Sequence, residues 1–317
     1  MNILIINIII FIIGLLLVIK GGDIFVDSAT WIAQVLNIPN FIIGATIVSI
    51  ATTLPEMIIS LISASNGITE MAIGNAVGSV TVNTAIIMAL AFIFMNIHTD
   101  RRSIRFQSAL LILSVIIAFF GAKNGYLDIG SNIILLIIFT IFILFNIKIG
   151  KKQQNIYPTE KVKVTAKEKI IQSMKFIVSF GMIYIGSKLL INSSTELAKL
   201  IGVSDRVISV TLLAIGTSLP ELVTAISAIR KNNVDLSIGN IIGANIIDIA
   251  LVLPLCSIVS GNSIPVTQEA ITLDLPICVI VTLVALIPCL VKQRASKFQG
   301  ISVMSIYCLY MIKLIAI

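Results

Sequence analysis

ATTLPE at residues 51–56 returns as GTSLPE at 216–221, and IGNAVGS at 73–79 returns as IGNIIGA at 238–244. One offset of 165 residues superimposes both pairs, and it also sets Phe11 on Phe176, Gly21 on Gly186 and Asn83 on Asp248. Several short motifs in one ungapped register identify an internal duplication. Hydropathy shows what is duplicated. Apolar runs long enough to cross a bilayer, about 17–25 residues each, lie near 3–19, 41–65, 71–96, 104–121, 127–147, 170–191, 206–229, 236–259, 271–291 and 299–316. Each copy holds five, and an odd number forces the second copy to enter the membrane from the opposite side. The sequence therefore predicts an all-α polytopic membrane protein whose ten transmembrane helices form two inverted-topology five-helix repeats. Secondary transporters have this architecture, with the ion site near the midplane where the copies meet. A membrane barrel would show short alternating strands instead.

The composition agrees. Of 317 residues, 57% are hydrophobic and 12% charged, against about 45–50% and ~25% in soluble domains, and the mean hydropathy is +1.08. A cytosolic globule, a disordered chain and a disulfide scaffold are all excluded. The single histidine, His98, lies in a polar connection and cannot build a His-ligated zinc or haem site. Cys256, Cys278, Cys289 and Cys308 sit in apolar stretches without CxxC spacing and read as buried small hydrophobes. Trp31, the only tryptophan, offers no stacking platform for nucleic acid. The N-terminal run to Ile19 lacks a basic n-region and a cleavage site, so it reads as a retained first span.

Two stretches, Gly21–Asn40 and Gly186–Asp205, read as amphipathic connections at equivalent places in the two copies. Residues 148–169 form the one long polar segment and divide the chain into a first repeat, 1–147, and a second, 170–317. Basic residues orient the spans. With the N-terminus outside, inside connections carry Lys20, Arg101, Arg102, Arg105, seven lysines from Lys148 to Lys169, Arg230, Lys231, Lys292, Arg294 and Lys297. Only Lys123, Lys188, Lys199, Arg206 and Lys313 fall outside. This positive-inside bias predicts a multi-pass cell-membrane protein with a cytoplasmic linker and both termini extracytoplasmic. The net charge of +7 is a topology signal, and the only partners implied are the lipid bilayer and small cations, with no nucleic acid or protein partner.

Of the 15 acidic residues, twelve lie near connections or span ends, and Glu56, Glu221 and Asp248 lie deep in apolar spans. A carboxylate at the bilayer centre costs about 2.5–3.5 kcal/mol on insertion scales, and the motif-bearing spans hold no Lys or Arg at comparable depth. These acids must be protonated or neutralised by bound cations; protonated acids acting as interhelix glue are the structural alternative. Pro55 and Pro220 each leave a carbonyl one turn earlier, on Ala51 and Gly216, without its helical donor. Those carbonyls and the hydroxyls of Thr52, Thr53, Thr217 and Ser218 place oxygens beside each glutamate. Such a set suits hard cations: calcium takes about six to eight oxygens, and nothing offers sulfur or imidazole to a softer metal. Asn83 and Asp248, equivalent by the repeat, add one neutral and one acidic oxygen donor. The glycines of the second motif, Gly74, Gly78, Gly239 and Gly243, have the small-residue spacing of close helix approach. Asn75 and Asn240 are placed to satisfy backbone groups of the broken partner helices.

At these residues the sequence resembles the cation/calcium exchanger superfamily, in particular prokaryotic sodium/calcium exchanger-like proteins. The paired motifs read GATIVSIATTLPE and GNAVGSVTVN in the first copy, SVTLLAIGTSLPE and GNIIGANIID in the second. The resemblance spans nearly the whole chain and implies exchange of sodium for calcium by alternating access. It places Glu56 and Glu221 as central ligands, with Thr52, Thr53 and Ser79 from the first copy and Thr217, Ser218 and Ala214 from the second, and Asn83 and Asp248 as the polar pair. Two departures stand out: Ala244 replaces a usual serine, and Ser49 occupies a position often filled by alanine. No cofactor is implied, calcium and sodium being cargo. Calcium/proton exchange and potassium dependence are the nearest alternatives, followed by a passive cation channel. An intramembrane enzyme is the rival from another class: acids could form a dyad and Ser218 a nucleophile, but no histidine or lysine base accompanies that serine.

Overall fold

The computed structural model describes residues 3–36, 38–95, 102–156, 165–200, 218–261 and 263–316. Helices α1 (Ile3–Val35), α2 (Asn40–Ile43), α3 (Ser49–Ser65), α4 (Thr69–Val82), α5 (Ala89–Phe94), α6 (Arg102–Gly121) and α7 (Ile129–Ile156) build the first half. Helices α8 (Ala166–Leu200), α9 (Leu219–Arg230), α10 (Val234–Ile247), α11 (Leu253–Val259), α12 (Leu275–Lys292) and α13 (Lys297–Ala316) build the second. Among the described residues seven helices are long and apolar enough to span a membrane, and α2–α3, bent by 49° around Pro55, makes an eighth span. Helices α9 and α13 lie at the two remaining spans expected from sequence, 206–229 and 299–316.

The duplication is written into the backbone. Helix α4 begins and ends 165 residues before α10, and a π-helical turn follows each, at Asn83–Met88 and Asp248–Val252. Such turns open the regular hydrogen-bond ladder and gather at functional sites. Helices α1 and α8 cross on small residues: a Cβ on Gly14 would lie 2.9 Å from the Gly186 carbonyl, and one on Gly21 would lie 3.0 Å from the Ser179 carbonyl. The repeat offset converts the first contact into the second, as a two-fold axis through the crossing requires. Phe25 stacks on Phe176 at 4.5 Å beside it.

Helices α1 and α8 correct one sequence expectation. Gly21–Asn40 and Gly186–Asp205 were predicted to be connections, yet α1 continues unbroken to Val35 and α8 to Leu200. The amphipathic pattern was real, but its apolar face packs on protein: Phe25, Val26, Ala29 and Ala33 join Ile43, Val48, Ala228 and Leu236 in a buried cluster. The polar side is used too. Asp23 accepts from Ser227 Oγ at 3.0 Å, and Lys231 pairs with Asp27 at 2.7 Å, fastening α1 to the end of α9. Helix α7 likewise runs to Ile156, so the basic segment is helical at both ends.

Helix α10 lies at the centre, buried on every side from Leu236 onward. It touches the backbone of the α2–α3 span directly. A Cβ on Gly239 would overlap the Phe41 carbonyl, and one on Gly243 would lie 2.7 Å from the Ala45 carbonyl. The packing role read for these two glycines is correct; the equivalent partner stretch of Gly74 falls within residues 201–217, outside the described set. A two-residue antiparallel pairing, Tyr126–Leu127 with Ile264–Pro265, ties a loop of each half together and is the one exception to the helical architecture among the described residues. Asp128 then caps α7, its carboxylate accepting from the Ser131 amide at 2.9 Å and the Ser131 hydroxyl at 2.6 Å. Cys256, Cys278 and Cys289 are buried as expected, whereas Cys308 is exposed on the outer surface of α13, so its reading as a buried hydrophobe is corrected.

Gly239→Ala should lower stability by about 1–3 kcal/mol through overpacking, outweighing the helix propensity it gains, seen as a lower melting temperature in detergent. The two Ser131 donors hold the Asp128 carboxyl below its ordinary range, that of hydroxyl first and amide second. Asp128→Ala should cost about 1 kcal/mol as a lost N-cap. A depressed folded-state pKa means this stabilisation is present above the ordinary carboxylate range and lost as pH falls through the folded value, so the wild-type and variant melting curves should converge in acid.

Candidate functional site

The site forms where the bent α2–α3 span and the start of α9 meet the two π-turn helices. On the first span the helix bends at Pro55, which cannot donate to the preceding turn, and Thr52, Thr53 and Glu56 lie around that bend. In the second copy Pro220 falls in the first turn of α9, where its missing amide hydrogen costs nothing, and Ser218 precedes it as N-cap. Glu221 lies in that same first turn, where a helix N-terminus favours negative charge. Asn83 and Asp248 open the π-helical turns after α4 and α10.

These side chains converge out of reach of bulk water. Glu56, Glu221 and Asp248 are each 1% exposed, and Thr52, Thr53, Ser79, Asn83 and Ser218 are equally buried. Glu56, Glu221 and Asp248 lie within electrostatic reach of one another. Thr53 on the first copy donates to Glu221 Oε1 on the second at 3.3 Å, so the halves meet at this carboxylate. Thr217 and Ala214 lie outside the described residues.

Many of the remaining oxygens have no hydrogen-bond partner: both of Glu56 and of Asp248, Oε2 of Glu221, Oδ1 of Asn83, and the hydroxyls of Ser79 and Ser218. Buried polar atoms are ordinarily satisfied, and each exception costs about 1–3 kcal/mol. All of these unpartnered oxygens belong to the repeated motifs of the two halves, and they are the candidate oxygen donors for a cation. Among the described residues no group of three or more His, Cys, Asp and Glu side chains is gathered closely enough to hold a metal ion by itself, so the carboxylates alone do not make a cage. The carboxylates share the centre with hydroxyl and amide oxygens, an arrangement suited to hard ions that bind and leave.

A supporting shell fixes this centre. Asn75 donates to the Glu56 carbonyl at 3.1 Å and to Ser60 Oγ at 2.9 Å, the backbone-satisfying role predicted from sequence. Asn240 does something different: its Nδ2 donates to Thr224 Oγ1 at 3.0 Å, and its Oδ1 accepts from Thr52 at 3.3 Å. Thr224 in turn donates to the Glu221 carbonyl at 3.0 Å. Asn240 therefore ties α3 to α9. Sequence reasoning missed Thr224 and Ser60 because neither belongs to a repeated motif: the repeat counterpart of Thr224 is Ile59, and that of Ser60 is Ala225. Their spacing of three and four residues beyond each glutamate, one turn along the same helix, was the available signal.

The chain is matched by a family model described as sodium/calcium exchanger protein, over residues 6–148 and 173–316. It is 31% identical to the inner membrane protein YrbG of Escherichia coli over 80% of each chain. It is 28% identical to the sodium/calcium exchanger MaX1 of Methanosarcina acetivorans over 98% of each. Among solved structures, the sodium-calcium exchanger NCX_Mj soaked with sodium and strontium superimposes with a TM-score of 0.84 at 28% identity, covering 98% of both chains.

Asn240→Ala removes the bridge between the spans without deleting a carboxylate. Loss of such an orienting partner typically costs about 10–100-fold in metal affinity, and calcium titration of the purified variant should show a weakening of that order.

Proposed function

The chain belongs to the sodium/calcium exchanger protein family, and from that premise we propose that it exchanges sodium for calcium by alternating access at the site formed by Glu56, Glu221 and Asp248. The observation that carries this reading is the convergence of three buried carboxylates, five of whose six oxygens lack a partner. Together they offer up to three negative charges, which three sodium ions neutralise, as do one calcium and one monovalent cation. Neither set fits beside the other, and this mutual exclusion couples the two fluxes. Calcium needs more ligands than carboxylates alone provide, and Thr52, Thr53, Asn83, Ser79 and Ser218, with Thr217 and the Ala214 carbonyl, supply oxygens around the centre. The ions are cargo, and the reaction needs no covalent step.

Residues 1–147 and 170–317 act as two inverted units joined by the basic segment 148–169. The protein is a multi-pass membrane protein; the excess of Lys and Arg on one side supports cytoplasmic placement of that segment and extracytoplasmic placement of both termini. The four motif-bearing spans hold the site, and movement of the remaining helices switches the side from which it is reached.

In vesicles containing the protein, calcium uptake should require an outward sodium gradient and vanish when the gradient is collapsed. Glu56→Gln and Glu221→Gln should each abolish uptake and weaken calcium binding by at least about tenfold, while the variants still purify as folded protein. Uptake that follows a pH gradient without sodium would establish calcium/proton exchange instead, and uptake indifferent to every counter-ion would establish a channel.

A further inference from the structure

Beyond its crossing with α8, helix α1 carries Asp23, Asp27 and Thr30 at the spacing of one helix face. All three engage the end of α9 and the turn that follows it. Asp23 accepts from Ser227 Oγ at 3.0 Å and lies 3.9 Å from Arg230. The Lys231 ammonium bridges one turn of α1, pairing with Asp27 at 2.7 Å and donating to the Asp23 carbonyl at 2.6 Å. Asn233, the N-cap of α10, donates to Thr30 Oγ1 at 3.0 Å. Gly22 lets the two helices close together: a Cβ there would overlap Val223 and lie 3.1 Å from Ser227 Oγ. Glu221 lies in the first turn of α9, so these contacts fasten α1 over a helix that carries a site carboxylate.

The internal repeat shows that this fastening belongs to one end of the molecule only. The 165-residue offset sets Lys188 and Asn192 of α8 where α1 has Asp23 and Asp27. At the end of α3 it sets Ile62, Ser65 and Asn66 where the end of α9 has Ser227, Arg230 and Lys231. No carboxylate stands at any of these five positions, so the equivalent ion pairs cannot form. Lys188 instead lies over the Tyr184 ring, 4.7 Å from its centre, and Ser65 donates to the Ile62 carbonyl of its own helix at 2.8 Å. The covering differs in the same sense. Val223 and Ser227 lie against α1, whereas their equivalents on α3, Ile58 and Ile62, are 47% and 55% exposed. In an inverted repeat the two ends belong to opposite faces of the membrane, so one face is fastened and the other is not.

We propose that Asp23, Asp27 and Lys231 form a one-ended latch that holds α1 over α9, closes the site toward the end bearing Arg230 and Lys231, and leaves the resting protein open to the opposite face. By the positive-inside bias the latched end is the cytoplasmic one. The latch rests on the alternating-access reading above: α1 must leave α9 before ions reach Glu221 from that end, and its ion pairs break each time it does. Opening the other end breaks no equivalent pair. Exposed ion pairs are individually weak, which suits a contact broken in every cycle, since a modest difference shifts a two-state balance without locking it. These residues touch no transported ion; they are positioning residues that set the face from which the site is reached.

Sodium-driven calcium uptake into right-side-out and inside-out membrane vesicles tests this, because each kind of vesicle presents one face. A site open to a face for part of the time binds from that face with an affinity reduced by that fraction. Lys231→Glu should therefore lower the half-saturating calcium concentration at the cytoplasmic face about fivefold and raise it at the other face by at most about twofold, as a shift from roughly 10:1 to 1:1 requires. Asp27→Asn, which keeps the shape of the side chain, should move both values in the same directions by less. Adding Asp27→Lys to Lys231→Glu reverses the ion pair and should return both values toward those of the unmodified protein. Unchanged values at both faces in Lys231→Glu and Asp27→Asn overturn the proposal. So do changes of the same sign and size at both faces, which mark a damaged site, and a reversed pair that restores neither value. Uptake by the unmodified protein that needs no sodium gradient would instead overturn the exchange reading beneath it.

Discussion

Three carboxylates in a low-dielectric interior, with no lysine or arginine paired to them among the described residues, are the constraint on which the rest of this structure turns. Ionised, they repel one another and have lost their hydration; they become tolerable only when cations occupy the space between them. Local irregularities cluster around that demand. The bend at Pro55, the helix that starts at Leu219, and the π-helical turns opening at Asn83 and Asp248 all interrupt regular hydrogen bonding where oxygens are needed. In a membrane such breaks are sustainable only where protein, not lipid, surrounds them, and the burial of α10 on every side provides that surrounding.

Close backbone packing makes the site precise. With glycine at 239 and 243, α10 lies directly against the Phe41–Ala45 backbone, which brings Asn240 within reach of Thr52. Asn240 then links α3 of one copy to α9 of the other through Thr224 and Glu221. The halves are therefore joined at the site by hydrogen bonds among small polar groups, each modest in energy. Helices α1 and α8 stand to one side of that junction. They cross each other on glycine and serine, present long apolar faces outward, and touch the site-bearing helices along one side only.

Chemical asymmetry is laid over geometric symmetry. Asn83 and Asp248 occupy equivalent turns with different charge, Thr224 has no hydroxyl counterpart, and Asn75 and Asn240 make different bonds from the same motif position. An exchanger that must bind ions of different valence benefits from two non-identical halves. A strictly symmetric centre would carry an even number of carboxylates, whereas three set a charge that divalent and monovalent cations satisfy in different numbers.

The sequence by itself determined the membrane class, the duplication and hence the inverted architecture, because hydropathy and a constant offset survive without any contact being known. It also located the buried carboxylates, since an acid inside an apolar span is visible in one dimension. It misjudged Gly21–Asn40 and Gly186–Asp205, where the period of an amphipathic helix is the same whether its polar face meets water or the Ser227 and Lys231 side chains of another helix. It could not separate the Asn75 and Asn240 roles or find Thr224, because hydrogen-bond partners come from other segments. Only the tertiary structure decided which side chains meet: Thr52 and Asn240 lie far apart in the chain, and the packing of α10 against the α2–α3 span alone places one against the other.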